Sequence, residues 1–149
     1  MSQRILVVDD EPCTCYSLKL ALKIAGYEVD TARDGQEALL RIVQTEYTSF
    51  DLIVTDIQMA NMGGLELIEW LRTVKIPTPV LVITGYGNKK TVMELTKKGL
   101  LDLTRKGLLN FIDKPFEPEA LVLHVRSILE KKIPSARHRA LAELAVPIS

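Results

Sequence analysis

Cysteine is scarce in this chain: Cys13 and Cys15 are the only two in 149 residues. Two positions apart, they cannot form a disulfide that staples a fold. A thiolate metal centre would need more ligands, and only His124 and His138 offer imidazole. Both thiols therefore read as reduced cysteines of a cytoplasmic protein. Net charge is also lacking. Nineteen basic and nineteen acidic side chains cancel, so no global field recruits nucleic acid or an anionic membrane. No apolar run approaches the roughly 20 residues that span a bilayer. The first strand pattern begins at Arg4, which leaves no room for a secretory signal. The expected location is cytoplasmic.

What remains is a length suited to one domain that buries about two thirds of its extended surface. The pattern alternates between two periods. Arg4 to Val8 is an apolar run, and a helix pattern over Ser17 to Ala25 stops at Gly26. Tyr27 to Thr31 predicts a second strand, and Gln36 to Glu46 a second helix. Asp51 to Thr55 predicts the third strand, Leu65 to Val74 the third helix, and Val80 to Ile83 the fourth strand. Asn88 is placed to cap a fourth helix starting near Lys89. Asn110 to Ile112 predicts the last strand, and Glu119 to Lys132 the last helix. Strands and helices alternating at this spacing make βαβ units and a mostly parallel sheet. Right-handed crossovers put every strand's C-terminal end on one edge. If strands one, three and four are neighbours, Asp9, Asp10, Asp56 and Thr84 meet there.

Seen singly, each of these residues is an ordinary solvated turn residue. Together, after separate parallel strands, they describe a chemical site. Clustered carboxylates repel and raise one another's pKa values. A hard divalent cation relieves that repulsion, and Mg²⁺ suits an all-oxygen site that retains waters. Lys114 supplies a compact ammonium and Thr84 a hydroxyl donor, both suited to a phosphoryl oxygen. Asp56, alone on its apolar strand, is the candidate nucleophile for an acyl phosphate, with Asp9 and Asp10 beside it to hold the metal.

The block Lys98 to Arg105 is followed by Lys106 to Asp113, and Lys-Gly-Leu-Leu opens both. This reads as a tandem duplication of eight residues. Either the fourth helix runs on through the first copy, adding about 12 Å at 1.5 Å per residue, or the copy forms a loop. Gly99 inside a helix would cost about 1 kcal/mol against alanine.

Four segments resemble the response-regulator receiver domain of two-component signalling, a CheY-like family. They are Ile5-Leu6-Val7-Val8-Asp9-Asp10-Glu11-Pro12, Asp51-Leu52-Ile53-Val54-Thr55-Asp56-Ile57-Gln58-Met59, Val82-Ile83-Thr84-Gly85 and Phe111-Ile112-Asp113-Lys114-Pro115-Phe116. The resemblance implies an α/β flavodoxin-like (βα)5 three-layer sandwich, a single domain with parallel order 2-1-3-4-5. In this chain the fourth-helix region is lengthened by the repeat. It implies a receiver over residues 1–132 and a short tail or linker over 133–149. It also implies phosphorylation of Asp56 by a histidine kinase or phosphotransfer protein. Mg²⁺ would be held by Asp9, Asp10, Asp56 and the backbone carbonyl of Gln58. Thr84 and Phe111 would form the switch, and Lys114 would precede a cis proline at Pro115. A homodimer through the fourth helix, fifth strand and fifth helix is the implied assembly, with no direct nucleic-acid binding, no membrane and no turnover enzyme.

The chain departs from the family where Met59 is followed by Ala60 instead of proline, and where Gly63-Gly64 replaces Asp-Gly. Both changes predict a looser loop. A second reading is a receiver-like interaction module whose duplication uncouples Thr84 from Phe111. An aspartate-based phosphatase is disfavoured by Gln58, which is no general acid, and a nucleotide-binding domain by the lack of a glycine-rich loop after the first strand.

Overall fold

A computed structural model describes residues 3–45, 50–57, 59, 61–85, 93–95, 97–100 and 102–130. The predicted cap at Asn88 and the tail over 133–149 lie outside the described residues. Five parallel strands, β1 (Arg4–Val8), β2 (Glu28–Ala32), β3 (Leu52–Asp56), β4 (Val80–Thr84) and β5 (Leu109–Asp113), form one sheet in the order β2-β1-β3-β4-β5. The helices are α1 (Pro12–Ile24), α2 (Gly35–Gln44), α3 (Gly64–Thr73), α4 (helical at 93–95 and 97), α5 (Asp102–Arg105) and α6 (Pro118–Glu130). This is the flavodoxin-like arrangement expected above. Because α5 is an extra turn, α6 occupies the place of the family's fifth helix.

The central strands are apolar on both faces because both faces are covered. Ile5 and Val7 of β1, Leu52 and Val54 of β3, and Leu81 and Ile83 of β4 point into one core with Leu18 and Leu22 of α1 and Leu121 and Val125 of α6. The alternate residues Leu6, Val8, Ile53, Val80 and Val82 point into the other, with Ala38 and Ile42 of α2 and Leu67, Ile68 and Leu71 of α3. Helix α1 starts earlier than the periodicity predicts. Pro12 takes its first position, where a missing N–H is harmless, and the Glu11 side chain accepts from Cys13 N. Cys13 and Cys15 are free thiols.

The duplication takes neither of its two predicted courses. Gly99 sits at φ 69°, Lys98 N donates to Glu94 O at 3.0 Å, and Leu100 N reaches back to Leu95 O at 2.9 Å. That is a left-handed glycine cap, and it ends α4. Eight residues later, after α5, the motif recurs: Gly107 has φ 73°, and Leu108 N donates to Leu103 O at 2.9 Å. The structural repeat is thus framed as Leu95-Thr96-Lys97-Lys98-Gly99-Leu100-Leu101-Asp102, then Leu103-Thr104-Arg105-Lys106-Gly107-Leu108-Leu109-Asn110. Each unit carries its own left-handed glycine cap. The second unit feeds into β5, and the first feeds into α5.

The insertion is packed. Leu100 is 1 % exposed and Leu103 packs against the same core. Arg72 of α3 donates to Gly99 O at 2.9 Å, and Lys98 Nζ lies 2.9 Å from Glu69 Oε2. The fourth-helix region is therefore lengthened by a separate turn, α5, packed on the core through Leu103, while the cap that ends α4 is bonded to α3.

Candidate functional site

Parallel register brings the predicted residues to one edge. Asp9 follows β1, Asp56 ends β3, and Thr84 ends β4 opposite Asp113 of β5. Lys114 N donates to Thr84 O at 2.8 Å, which swings the lysine back over the sheet edge, and its bond to Pro115 is cis. Lys114 Nζ then reaches Asp56 Oδ2 at 2.9 Å, although the two residues are 58 apart in sequence. Asp56 is nearly buried, its side chain 12 % exposed against 39 % for Lys114. The hydrogen bond and charge of Asp56 raise the lysine pKa against the opposing effect of its partial burial.

Asp9 is 2 % exposed. Its Oδ1 accepts from Glu11 N at 2.9 Å, whereas its Oδ2 is buried with no hydrogen-bond partner among the described residues. Burial raises the Asp9 pKa most, and the charges of Asp56 and Asp10 add to it; the Glu11 N–H and Lys114 oppose. Asp10 is exposed beside it. The edge thus presents a buried carboxylate oxygen without a hydrogen-bond partner among the described residues.

A hard cation fits that chemistry, because the donors are oxygens and one of them is an orphan. Among the described residues, no three His, Cys, Asp or Glu side chains are already gathered as a metal cluster. Gln58, expected to offer its carbonyl, lies outside the described residues. Mg²⁺ commonly keeps several waters, so a closed protein cage is not required.

The switch candidates are joined to different neighbours. Thr84, 1 % exposed, donates its hydroxyl to Asp113 Oδ1 at 2.7 Å. Any movement of that hydroxyl toward Asp56 breaks the bond to Asp113. Phe111 is half-buried against the core that also holds Leu95, Leu100, Leu103 and Leu109. Asp113 had no assigned role in the sequence reading; its place directly before Lys114, paired in register with Thr84, was the available signal.

Among the described residues, contacts hold both the start and the later part of the loop after Asp56. Gly64 N donates to Ile57 O at 3.1 Å, and a Cβ on Gly64 would come 2.4 Å from Asp56 O. Only glycine allows α3 to start this close to β3. Further along the loop, Gly35 N donates to Met62 O at 3.0 Å, and Asn61 Nδ2 donates to Asp34 Oδ2 at 2.8 Å. No helix among the described residues is long and apolar enough to cross a membrane.

Comparison with known proteins points the same way. The family model described as the response regulator receiver domain matches residues 5–126. The transcriptional regulatory protein FixJ of Bradyrhizobium diazoefficiens is 30% identical over 139 residues, covering 93% of this chain and 62% of FixJ. The alkaline phosphatase synthesis transcriptional regulatory protein PhoP of Bacillus subtilis is 36% identical over 134 residues, covering 88% of this chain and 50% of PhoP. The chain therefore spans between about half and three fifths of these relatives' length. Among solved structures, the Vibrio cholerae chemotaxis protein CheY4 superposes with a TM-score of 0.72 at 29% identity, over 86% of this chain and 99% of CheY4. A CheY-like receiver domain protein from Methanospirillum hungatei gives 0.72 at 28% identity, over 88% and 96% of the two chains. Family members act as signalling switches rather than turnover enzymes and generally use Mg²⁺. With its sheet order, its carboxylate edge and this family match in agreement, the chain belongs to the response-regulator receiver domain family.

Proposed function

We propose that Asp56 is the phosphoacceptor, taking a phosphoryl group from a histidine kinase or phosphotransfer protein in a Mg²⁺-dependent reaction. The observation that carries this is the Lys114 ammonium 2.9 Å from Asp56 Oδ2, beside the unpartnered buried oxygen of Asp9. A carboxylate oxygen of Asp56 attacks phosphorus as the bond from phosphorus to the donor nitrogen breaks, and an acyl phosphate forms. Lys114 holds the carboxylate in place and offers its charge to the phosphoryl oxygens. Asp9, Asp10, Asp56 and the Gln58 carbonyl would hold Mg²⁺, which supplies charge neutralisation to the transferring group. Thr84 exchanges its bond to Asp113 for one to the phosphoryl oxygen, and Phe111 follows. The expected consequence is a change in dimerisation or partner binding on the face formed by α4, β5 and α6. Residues 1–132 are taken as the receiver and 133–149 as a tail or linker.

Beryllofluoride with Mg²⁺, an acyl-phosphate mimic, tests this reading. Binding should shift the resonances of Thr84 and Phe111 and change the sedimentation of the protein. Absence of binding contradicts the phosphoacceptor assignment. Binding that leaves Phe111 and self-association unchanged favours an uncoupled interaction module. One observation gives that second reading weight: Leu100 of the α4 cap and Leu103 of the extra turn α5 pack into the core that Phe111 packs against.

A further inference from the structure

Asp34 lies on the loop between β2 and α2, where the phosphoacceptor chemistry makes no demand on it. Its two carboxylate oxygens nevertheless have separate tasks. Oδ1 accepts from Glu37 N at 2.8 Å and caps α2. Oδ2 accepts from Asn61 Nδ2 at 2.8 Å, on the loop that leaves Asp56. The neighbouring residues repeat the connection in backbone: Gly35 N donates to Met62 O at 3.0 Å. The approach is so close that a Cβ on Gly35 would lie 2.5 Å from Met62 Cγ. Asn61 sits at φ 65°, a left-handed conformation that asparagine tolerates and most residues do not.

We propose that Asp34 and Asn61 form a clasp that positions the loop following Asp56 for phosphoryl transfer. The inference rests on the phosphoacceptor reading and makes both side chains positioning residues of that reaction. The loop is closed at its base, where Gly64 N meets Ile57 O at 3.1 Å. Between that base and Asn61 the chain carries Gln58, whose carbonyl is the expected ligand oxygen. Holding Asn61 on the N-cap of α2 restricts the chain there, so less ordering is left to each reaction. The departures at Ala60 and Gly63, which by themselves loosen this loop, increase the need for such an anchor.

The test separates capping from clasping. Asp34→Ser keeps a side-chain acceptor for Glu37 N but is too short to serve Asn61 as well. Asn61→Gly keeps the left-handed backbone and removes the amide. Each variant of the full chain is assayed for the rate of Asp56 acyl-phosphate formation from a small-molecule acyl phosphate, for Mg²⁺ affinity and for its urea midpoint. Each single change should slow acyl-phosphate formation about tenfold, well under the roughly hundredfold cost of gross misplacement. The double variant should be no slower than the slower single, because both break one contact. The reciprocal exchange Asp34→Asn with Asn61→Asp restores donor and acceptor in reversed roles and should recover the rate to within about twofold of wild type. A merely structural role would move the urea midpoint without this rescue of rate. Wild-type rates in both single variants, or independent losses that multiply in the double, overturn the clasp. Failure of the wild-type chain to form any acyl phosphate instead overturns the phosphoacceptor reading, and the clasp with it.

Discussion

Gly99→Ala probes the account of the duplicated segment, because the two possible courses of the chain respond to it oppositely. If α4 were poised to continue, alanine would help it by about 1 kcal/mol relative to glycine. In the capped course, alanine must enter the left-handed region now occupied at φ 69°, at a cost of about 1–2 kcal/mol. Among the described residues a Cβ at this position would meet only Arg72 Nη1, at 3.6 Å, which is ordinary contact. Continuing the helix would withdraw Leu100, now 1 % exposed, and that burial stabilises by about 1.5–3 kcal/mol. It would also break the bond from Arg72 to Gly99 O, a loss of about 0.5–1.5 kcal/mol. The losses exceed the gain, so the cap persists and the variant is destabilised by about 1–2 kcal/mol. With a urea slope of about 2 kcal/mol per molar, the midpoint falls by about 0.5–1 M. Far-ultraviolet circular dichroism should show unchanged helix content. An unchanged midpoint, or a helical gain equivalent to the duplicated block, would refute the reasoning.

Two further outcomes follow from the site. Gly64→Ala should destabilise by about 1–3 kcal/mol, because the new methyl meets the backbone at Asp56 O and Ile57 Cα. Wild-type urea stability in that variant would show that α3 does not start against β3. Asp9→Asn should stabilise the cation-free protein near neutral pH, since Asp9 is raised from 3.8 chiefly by burial. A raised carboxyl contributes stability that is fully present below 3.8 and is lost as pH rises through its folded value. The advantage of the variant should therefore vanish in acid and appear above that value. Added Mg²⁺ should then stabilise wild type more than the variant, and thermal melts across pH with and without Mg²⁺ read both effects. Equal melting temperatures at all pH values would contradict the buried-charge account.

The sheet was legible because its strands are short apolar runs ending in polar residues, and helices cover both faces. Asp56 and Lys114 could be paired as chemistry from strand ends alone, although only the fold shows the swing of Lys114 back over Asp56. Helix starts were less legible: Pro12 and Gly64 begin helices from loop-like sequence, one through a tolerated missing N–H and the other through a close approach. The repeat misled in phase. Lys-Gly-Leu-Leu catches the eye, but the physical unit begins at Leu95 and Leu103, whose carbonyls receive the closing hydrogen bonds. The Asp34–Asn61 bond joins residues 27 apart through one oxygen of a helix cap, whereas in sequence Asp34-Gly35 reads only as a turn.

The central claim is tested most directly by peptide mass spectrometry after borohydride trapping of protein treated with Mg²⁺ and a small-molecule acyl phosphate. The account predicts a single labelled carboxylate at Asp56, no label in Asp56→Asn, and no label when Mg²⁺ is chelated. Label persisting in Asp56→Asn, or appearing at Asp9 or Asp10 in the wild-type chain, would contradict it.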